Sequence, residues 1–267
     1  MIVLQEVDFF YGDHHVLKNV SFSIQEGESV VIMGPSGSGK STILRLLLGL
    51  ECPQHGCITL DGKNICKMEE KEKREIRKTI GMVFQDGALF DSLTVGENVG
   101  YYLLEHTKLP WDEISRRVDQ MLGFVGLDDE DIVNKLPEQL SGGMQRRVAI
   151  GRSLLSTNPR VMLYDEPTTG LDPFSTANVI NLIEKLHSEK SISTVVVTHQ
   201  ISDAIALADR FVVIIEGRVA FDGNIEQLRD SLDIDVLTFL APFRESFWGV
   251  AKRRFVPGVT WQSGRTQ

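Results

Sequence analysis

The chain has 267 residues, 42% of them hydrophobic and 24% charged, a composition typical of a folded globular protein. Its length is enough to bury a substantial core in one large domain or two small ones. The formal net charge of −9 argues against nucleic acid as a partner, because binding to phosphate backbones depends on a basic surface.

The sequence contains no candidate membrane-spanning helix or secretory signal. Its longest run without a charged residue, Ser191 to Ser202, is twelve residues long, whereas a spanning helix needs roughly 18 to 20. The first residues lack a basic segment followed by an apolar core and a cleavage site. Three cysteines, Cys52, Cys57 and Cys66, match no common metal or disulfide spacing. We therefore expect a cytoplasmic protein with free thiols.

The chain begins with a predicted antiparallel β region. Apolar patterning predicts strands at Ile2 to Phe10 and Asn19 to Ile24, joined by a loop that contains Gly12 and Asp13. A further strand at Gly56 to Asp61 would complete a small β subdomain.

Further along, short runs rich in Val and Ile alternate with helical patterns, which is typical of a mostly parallel sheet between helices. The predicted strands are Ser29–Met33, Gly81–Phe84, Val161–Tyr164, Thr194–Thr198 and Phe211–Ile215. Between Thr94 and Ser156, apolar residues recur at helical spacing and no strand is predicted. We expect an α/β fold with an inserted helical subdomain.

A glycine-rich segment follows the first of these buried strands and leads into an apolar helix. It consists of Gly34, Pro35, Ser36, Gly37, Ser38, Gly39, Lys40, Ser41 and Thr42. This is the pattern of a Walker A loop, in which backbone N–H groups and a helix N-terminus surround phosphate groups. Lys40 would reach the β- and γ-phosphates, and Ser41 would bind Mg²⁺. The glycines alone would also fit a structural turn, and Lys40 and Ser41 argue against that alternative.

Two carboxylates end the apolar strand that begins at Val161, as expected of a Walker B segment. Asp165 would bind Mg²⁺, and Glu166 would polarise the water that attacks the γ-phosphate. Acidic residues after a strand are often only solvated loop residues. The presence of a Walker A segment favours the Walker B role for these two carboxylates. Together the two segments predict a nucleotide hydrolase.

The segment Leu140-Ser141-Gly142-Gly143-Met144-Gln145 precedes the Walker B strand and resembles the LSGGQ signature of ABC ATPases. Ser141 is a favourable helix N-cap, and the two glycines would leave N–H groups open to an anion. The resemblance implies the P-loop NTPase fold of ABC ATPases, with ATP and Mg²⁺. It also implies a homodimer in which Ser141, Gly142, Gly143 and Gln145 of one copy bind ATP held by the other.

Other positions match this family one by one. Tyr11 resembles the aromatic residue that stacks on adenine, and Gln85 resembles the glutamine that contacts the nucleotide and its metal ion. Asp172 lies in a segment similar to the D-loop. His199, after the strand ending at Thr198, resembles the histidine that contacts the γ-phosphate and, with Lys40 and Glu166, takes part in catalysis.

The resemblance predicts one ABC ATPase domain at residues 1–240. A RecA-like core with its β subdomain would occupy 1–85 and 157–230, and the helical subdomain 86–156. Residues 241–267 form a basic tail with five Lys or Arg and one Glu. We interpret this tail as an interaction arm for the other ATPase subunit or for anionic lipid, and packing on its own domain is the alternative.

The stretch from Asp86 to Thr107 resembles the ATPase subunit of Mla-type phospholipid transporters. That resemblance implies an integral membrane permease, a lipid carrier with an MCE domain, and a place on the cytoplasmic face of the inner or plasma membrane. Leu89 and Phe90 would then either face the permease or belong to the core. A transporter for a small hydrophilic solute and a soluble ATPase of iron–sulfur assembly remain alternatives.

Overall fold

The strands form two sheets in the computed structural model, which describes residues 1–129, 131–157 and 159–243. The strands are β1 (Ile2–Tyr11), β2 (His14–Ile24), β3 (Ser29–Met33), β4 (His55–Leu60), β5 (Lys63–Asn64), β6 (Ile80–Val83), β7 (Val161–Asp165), β8 (Ser193–Val197), β9 (Arg210–Ile215) and β10 (Arg218–Asn224). The helices are α1 (Lys40–Leu47), α2 (Glu70–Arg77), α3 (Val95–His106), α4 (Trp111–Phe124), α5 (Gly142–Ser156), α6 (Pro173–Lys190), α7 (Ile201–Leu207), α8 (Ile225–Arg229) and α9 (Ile234–Leu240).

The larger sheet has the order β10-β9-β3-β8-β7-β6 and is parallel except for the β9–β10 hairpin. Every residue of β3 and β8 is buried, which explains their unbroken apolar character. The smaller sheet has the order β2-β1-β4-β5 and is antiparallel. The predicted α/β architecture, with a mostly parallel sheet beside an antiparallel one, is confirmed.

Two hydrophobic clusters cover the two faces of the large sheet. One joins α1 and the antiparallel sheet to alternate residues of β3, such as Val30 and Ile32. The other joins helices α3 to α7 to the remaining residues of β3, Val31 and Met33. This alternation is what a strand buried on both faces requires. It fixes the end of β3, and hence the glycine-rich segment after it, between two packed layers.

The segment from Thr94 to Ser156 contains α3, α4 and α5 and no strand among its described residues. Its apolar residues, including Ile114, Val118 and Leu122, pack into the second cluster at helical spacing. The exact division of the chain into subdomains stays a prediction. No helix among the described residues is long and apolar enough to cross a bilayer. From residue 244 onward, the predicted tail lies outside the described residues.

The expectation of three free thiols is wrong for two of them, because Cys52 and Cys66 form a disulfide with a Cα–Cα distance of 5.7 Å. Cys57 is free. The sequence hides this pairing because a short 3₁₀ turn, Ile65–Lys67, folds against the loop after α1. Ile65 is buried beside Gly49, and Arg77 donates to the Gly49 carbonyl at 3.1 Å.

A fully buried asparagine, Asn98 of α3, organises the loop between β6 and α3. Its Nδ2 donates to the carbonyls of Phe90, Leu93 and Thr94 at 3.0 to 3.1 Å, and its Oδ1 accepts from the Phe90 N–H at 2.9 Å. Because loops otherwise leave backbone groups unpaired, one amide replaces several missing partners. Asn98 therefore fixes the conformation of this loop.

We expect Asn98→Ala to lower the free energy of unfolding by roughly 2 to 4 kcal/mol, because several partly buried backbone groups would lose their partner. Chemical unfolding followed by circular dichroism measures this. Asn181→Ala, on the exposed face of α6, is the control and should change stability by less than about 0.5 kcal/mol. Equal stability of the two variants would contradict the role given to Asn98.

Candidate active site

A cavity of about 620 Å³ opens at the edge where the parallel strands end. Binding sites in open α/β sheets lie at this edge, where loops leave the strands. Most of its lining comes from residues singled out in the sequence. The lining residues are Tyr11, His14, Val16, Pro35, Ser36, Gly37, Gly39, Lys40, Ser41, Thr42, Gln85, Glu166, His199 and Phe239.

The glycine-rich segment curls from the end of β3 into the first turn of α1. Gly34 and Gly39 have φ angles of 150° and 102°, and a Cβ on Gly34 would stand 2.0 Å from the Ile214 carbonyl oxygen. Only glycine fits there, because the backbone passes directly against β9. The first turn of α1 lines the cavity, so its N-terminal N–H groups and the positive end of the helix are available to an anion.

The charged side chain of Lys40 lies beside the glycine-rich loop, near the carboxylates of Asp165 and Glu166. The Lys40 ammonium donates to the carbonyls of Gly34 and Pro35, both at 2.9 Å. Burial lowers the pKa of Lys40, and the carboxylates of Glu166 and Asp165 act in the opposite direction. Burial is also the main cause of a raised pKa at Asp165, whose Oδ1 accepts from the Ser41 hydroxyl at 3.1 Å.

Glu166 and His199 meet because β7 and β8 are parallel and in register, with Asp165 opposite Val197. The Glu166 N–H donates to the Val197 carbonyl at 2.8 Å. His199 Nδ1 lies 2.8 Å from Glu166 Oε1, and Thr169 Oγ1 donates to Glu166 Oε2 at 3.0 Å. Since an ionised carboxylate only accepts, Nδ1 carries the proton.

Tyr11 stands at the opposite end of the cavity, at the hairpin between β1 and β2. Its ring packs edge-on against Phe9 at 4.8 Å, and its hydroxyl accepts from Arg45 of α1 at 3.2 Å. His14 pairs with Tyr11 across the hairpin and also lines the cavity. The ring of Tyr11 is 41% exposed and therefore free to stack on a planar ligand.

Gln85 follows β6, and two arginines of α5 hold the backbone on either side of it. Arg146 donates to the Phe84 carbonyl at 2.6 Å, and Arg152 donates to the Gly87 carbonyl at 2.9 Å. Burial lowers the pKa of both guanidinium groups. The position of Gln85 in the cavity is thus tied to the helix that begins at Ser141.

The segment that resembles the ABC signature, Leu140 to Gln145, lies outside this cavity. Among the described residues around this cavity, none belongs to that segment or to the loop at Asp172. Ser141 caps α5 by accepting from the Met144 N–H at 3.3 Å, with Gly142 and Gly143 following in the helix. Asp172 caps α6. The Gln145 amide donates to the Pro137 carbonyl at 2.8 Å, so in this chain it supports the loop before α5.

Several cavity residues were not singled out in the sequence. His14 and Val16 could have been found, because the loop predicted at Gly12 and Asp13 places them beside Tyr11. Arg45 gives no local signal, since its contact with Tyr11 depends on how α1 packs against the hairpin. Phe239 gives no local signal either. It lies far from Lys40 in the sequence, and only the packing of α9 brings it to the cavity.

Comparison with known proteins gives consistent results. The family model described as ABC transporter matches residues 17–169. The intermembrane phospholipid transport system ATP-binding protein MlaF of Haemophilus influenzae is 37% identical over 240 residues, 90% of this chain and 90% of its own. The methionine import ATP-binding protein MetN 1 of Bacillus thuringiensis is 41% identical over 211 residues, 79% of this chain and 61% of its own.

Among solved structures, the chain is similar to the ATP-binding cassette MJ0796 in its dimeric, post-hydrolysis state with ADP and Pi. It matches with a TM-score of 0.76 at 37% identity, covering 84% of this chain and 98% of that one. The matched segment includes the glycine-rich loop, Gln85 and Glu166. The chain belongs to the ABC transporter family, as the subunit that binds and hydrolyses ATP.

Proposed function

We propose that this ATPase drives movement of phospholipid through an integral membrane permease, together with a lipid carrier that contains an MCE domain. The supporting observation is the extent of the likeness to MlaF, a protein named for intermembrane phospholipid transport, which spans 90% of both chains. The chain would then lie peripherally on the cytoplasmic face of the inner or plasma membrane, held there by the permease.

The side chains and backbone groups in and beside the cavity suit the binding of a nucleoside triphosphate with Mg²⁺. Lys40 and the first turn of α1 would hold the phosphates, and Tyr11 would stack on the base. Ser41, Gln85 and Asp165 would hold Mg²⁺, since all three offer the oxygen ligands that this ion prefers. When bound, the ion neutralises charge on the phosphate oxygens.

We assign the general base to Glu166 on the basis of its surroundings. Its two oxygens accept from His199, Thr169 and Thr198, at 2.8, 3.0 and 3.3 Å, which holds the carboxylate in one orientation toward the cavity. From there it could take a proton from water. His199 would act as a positioning residue through Nδ1, and a contact with the γ-phosphate oxygens would require Nε2 to carry a proton as well.

We expect Glu166→Gln to reduce the steady-state rate of ATP hydrolysis at least about 100-fold, because an amide cannot accept the proton. ATP binding should persist, since the amide keeps the shape of the carboxylate. Phosphate release and equilibrium nucleotide binding, measured on the purified variant, test both parts. Glu189→Gln, exposed on α6, serves as the control. Near-normal hydrolysis by the Glu166 variant would rule out this base.

A second copy of the chain would complete each site. ABC cassettes dimerise, as the MJ0796 structure illustrates. In this chain, Ser141 and Gly142 at the capped start of α5 are exposed, Gly143 is buried, and none of the three lines the chain's own cavity. We propose that it binds the γ-phosphate held by the other copy, with Gln145 and Asp172 supporting the loops involved.

The proposed permease contact is formed by exposed aromatic residues on either side of Gln85, with Phe84 before it and Phe90 and Tyr101 after it. These side chains are 44%, 43% and 37% exposed. The rings of Phe90 and Tyr101 lie 4.7 Å apart, and the Arg152 guanidinium lies 5.5 Å from the Phe90 ring. Leu89 instead packs against the core. An exposed aromatic group of this kind marks a protein contact.

We expect Phe90→Glu to reduce ATP-dependent phospholipid transfer at least about tenfold, because docking would bury a charged side chain in place of an apolar ring. Nucleotide binding by the isolated subunit should be unchanged. The assay is transfer of labelled phospholipid between vesicles by the complex purified with its permease. Leu232→Glu, at an apolar residue that is 89% exposed outside this surface, is the control. Unchanged transfer by the Phe90 variant would argue against this docking surface.

The methionine importer subunit supports a second candidate, uptake of a small hydrophilic solute, through its 41% identity. The same vesicles separate the two candidates when amino acids and phosphate are supplied beside the labelled lipid. Solute uptake without lipid transfer would overturn the lipid proposal and leave the ATPase intact. Absence of any co-purifying membrane subunit would favour the soluble iron–sulfur assembly alternative.

A further inference from the structure

One lining residue of the nucleotide cavity lies far outside the segment that matches the ABC transporter family. Phe239 belongs to α9, whereas the family match ends at residue 169. Apart from Tyr11, Phe239 is the one residue with a benzene ring among the described lining residues. Most of the other lining groups are polar or glycine. An apolar ring therefore forms part of the wall of a cavity built for phosphate and charge.

The packing of α9 fixes the direction of Phe239. Val236 and Leu240, three residues before and one after it, are buried against β9 in the second hydrophobic cluster. Asp233 caps the helix by accepting from the N–H groups of Asp235 and Val236. Residues 236, 239 and 240 share one face of a helix. Phe239 is thus held at the rim of the core and contributes to the cavity lining.

The opposite face of α9 is exposed, so the helix packs on the core through one face. Ile234 is 78% exposed, and Leu237 is 39% exposed. Phe239 is partly buried and less exposed than either of these residues. Its remaining exposed surface includes the part that lines the cavity, where a bound ligand would cover it.

We propose that Phe239 is a nucleotide-contacting residue of this ATPase. Bound ATP covers the ring, and the ring keeps water from one side of the cavity. Excluding water strengthens the attraction between Lys40 and the phosphates, since this attraction is weaker in a high dielectric. The contact is made by ATP and by ADP alike, so it contributes to binding and not to the chemical step.

The test is Phe239→Ala in the full-length chain. We expect KM for ATP, and Kd for ADP from calorimetry, to rise roughly tenfold, while kcat changes less than about twofold. Phe239→Leu keeps part of the apolar wall and should give a smaller rise, about two- to fourfold. Phe221→Ala is the matched control, because Phe221 is also a partly buried phenylalanine on the same cluster but does not line the cavity.

The control separates binding from folding. Phe221→Ala should lower the melting temperature as Phe239→Ala does, yet leave KM and Kd unchanged. If KM and Kd of Phe239→Ala match those of Phe221→Ala, the proposal is overturned and Phe239 is only a core residue. If Phe239→Ala does not fold, Phe239→Leu decides: unchanged nucleotide affinity overturns the proposal, and a rise supports it.

Discussion

The hydrogen-bonded register of β3, β8 and β7 is the constraint on which the active site depends. Two backbone bonds show it at the open edge of the sheet: Thr198 N–H to the Ile32 carbonyl at 3.2 Å, and Glu166 N–H to the Val197 carbonyl at 2.8 Å. These bonds bring the end of each strand to the same level. A slip of one residue would move Glu166 away from His199 and reverse the face to which every side chain points.

A second set of contacts connects the cavity to the surface through α5. This helix begins directly after its N-cap, Ser141. Farther along it, Arg146 and Arg152 donate hydrogen bonds to the carbonyls of Phe84 and Gly87. Arg152 also lies against Phe90, whose backbone is held by Asn98. A displacement of the loop at Gln85 would therefore move α5 as well, since both guanidinium groups donate to backbone carbonyls on either side of Gln85. These contacts form a physical connection between the cavity and the proposed docking surface.

The sequence predicts those parts of the fold that depend on local pattern. Strands buried on both faces give unbroken Val and Ile runs, and the glycine-rich loop needs particular residues at adjacent positions, so both can be recognised without a structure. Contacts between distant segments leave no such pattern. The Cys52–Cys66 disulfide depends on a short 3₁₀ turn, the Arg45–Tyr11 bond on the packing of α1, and the place of Phe239 on a helix near the end of the described chain. Each is decided by tertiary packing.

The backbone of Glu166 has a φ of 48°, in the left-handed region that a residue with a long side chain adopts only at some cost. The β7–β8 register imposes this conformation, because the Glu166 N–H must reach Val197 while its side chain turns toward His199. A glycine at this position would relax the backbone and would remove the carboxylate. With the proposed role of Glu166 as general base, selection for folding stability and selection for activity oppose each other at this residue, and a search for more heat-resistant variants of the chain would discard its activity first.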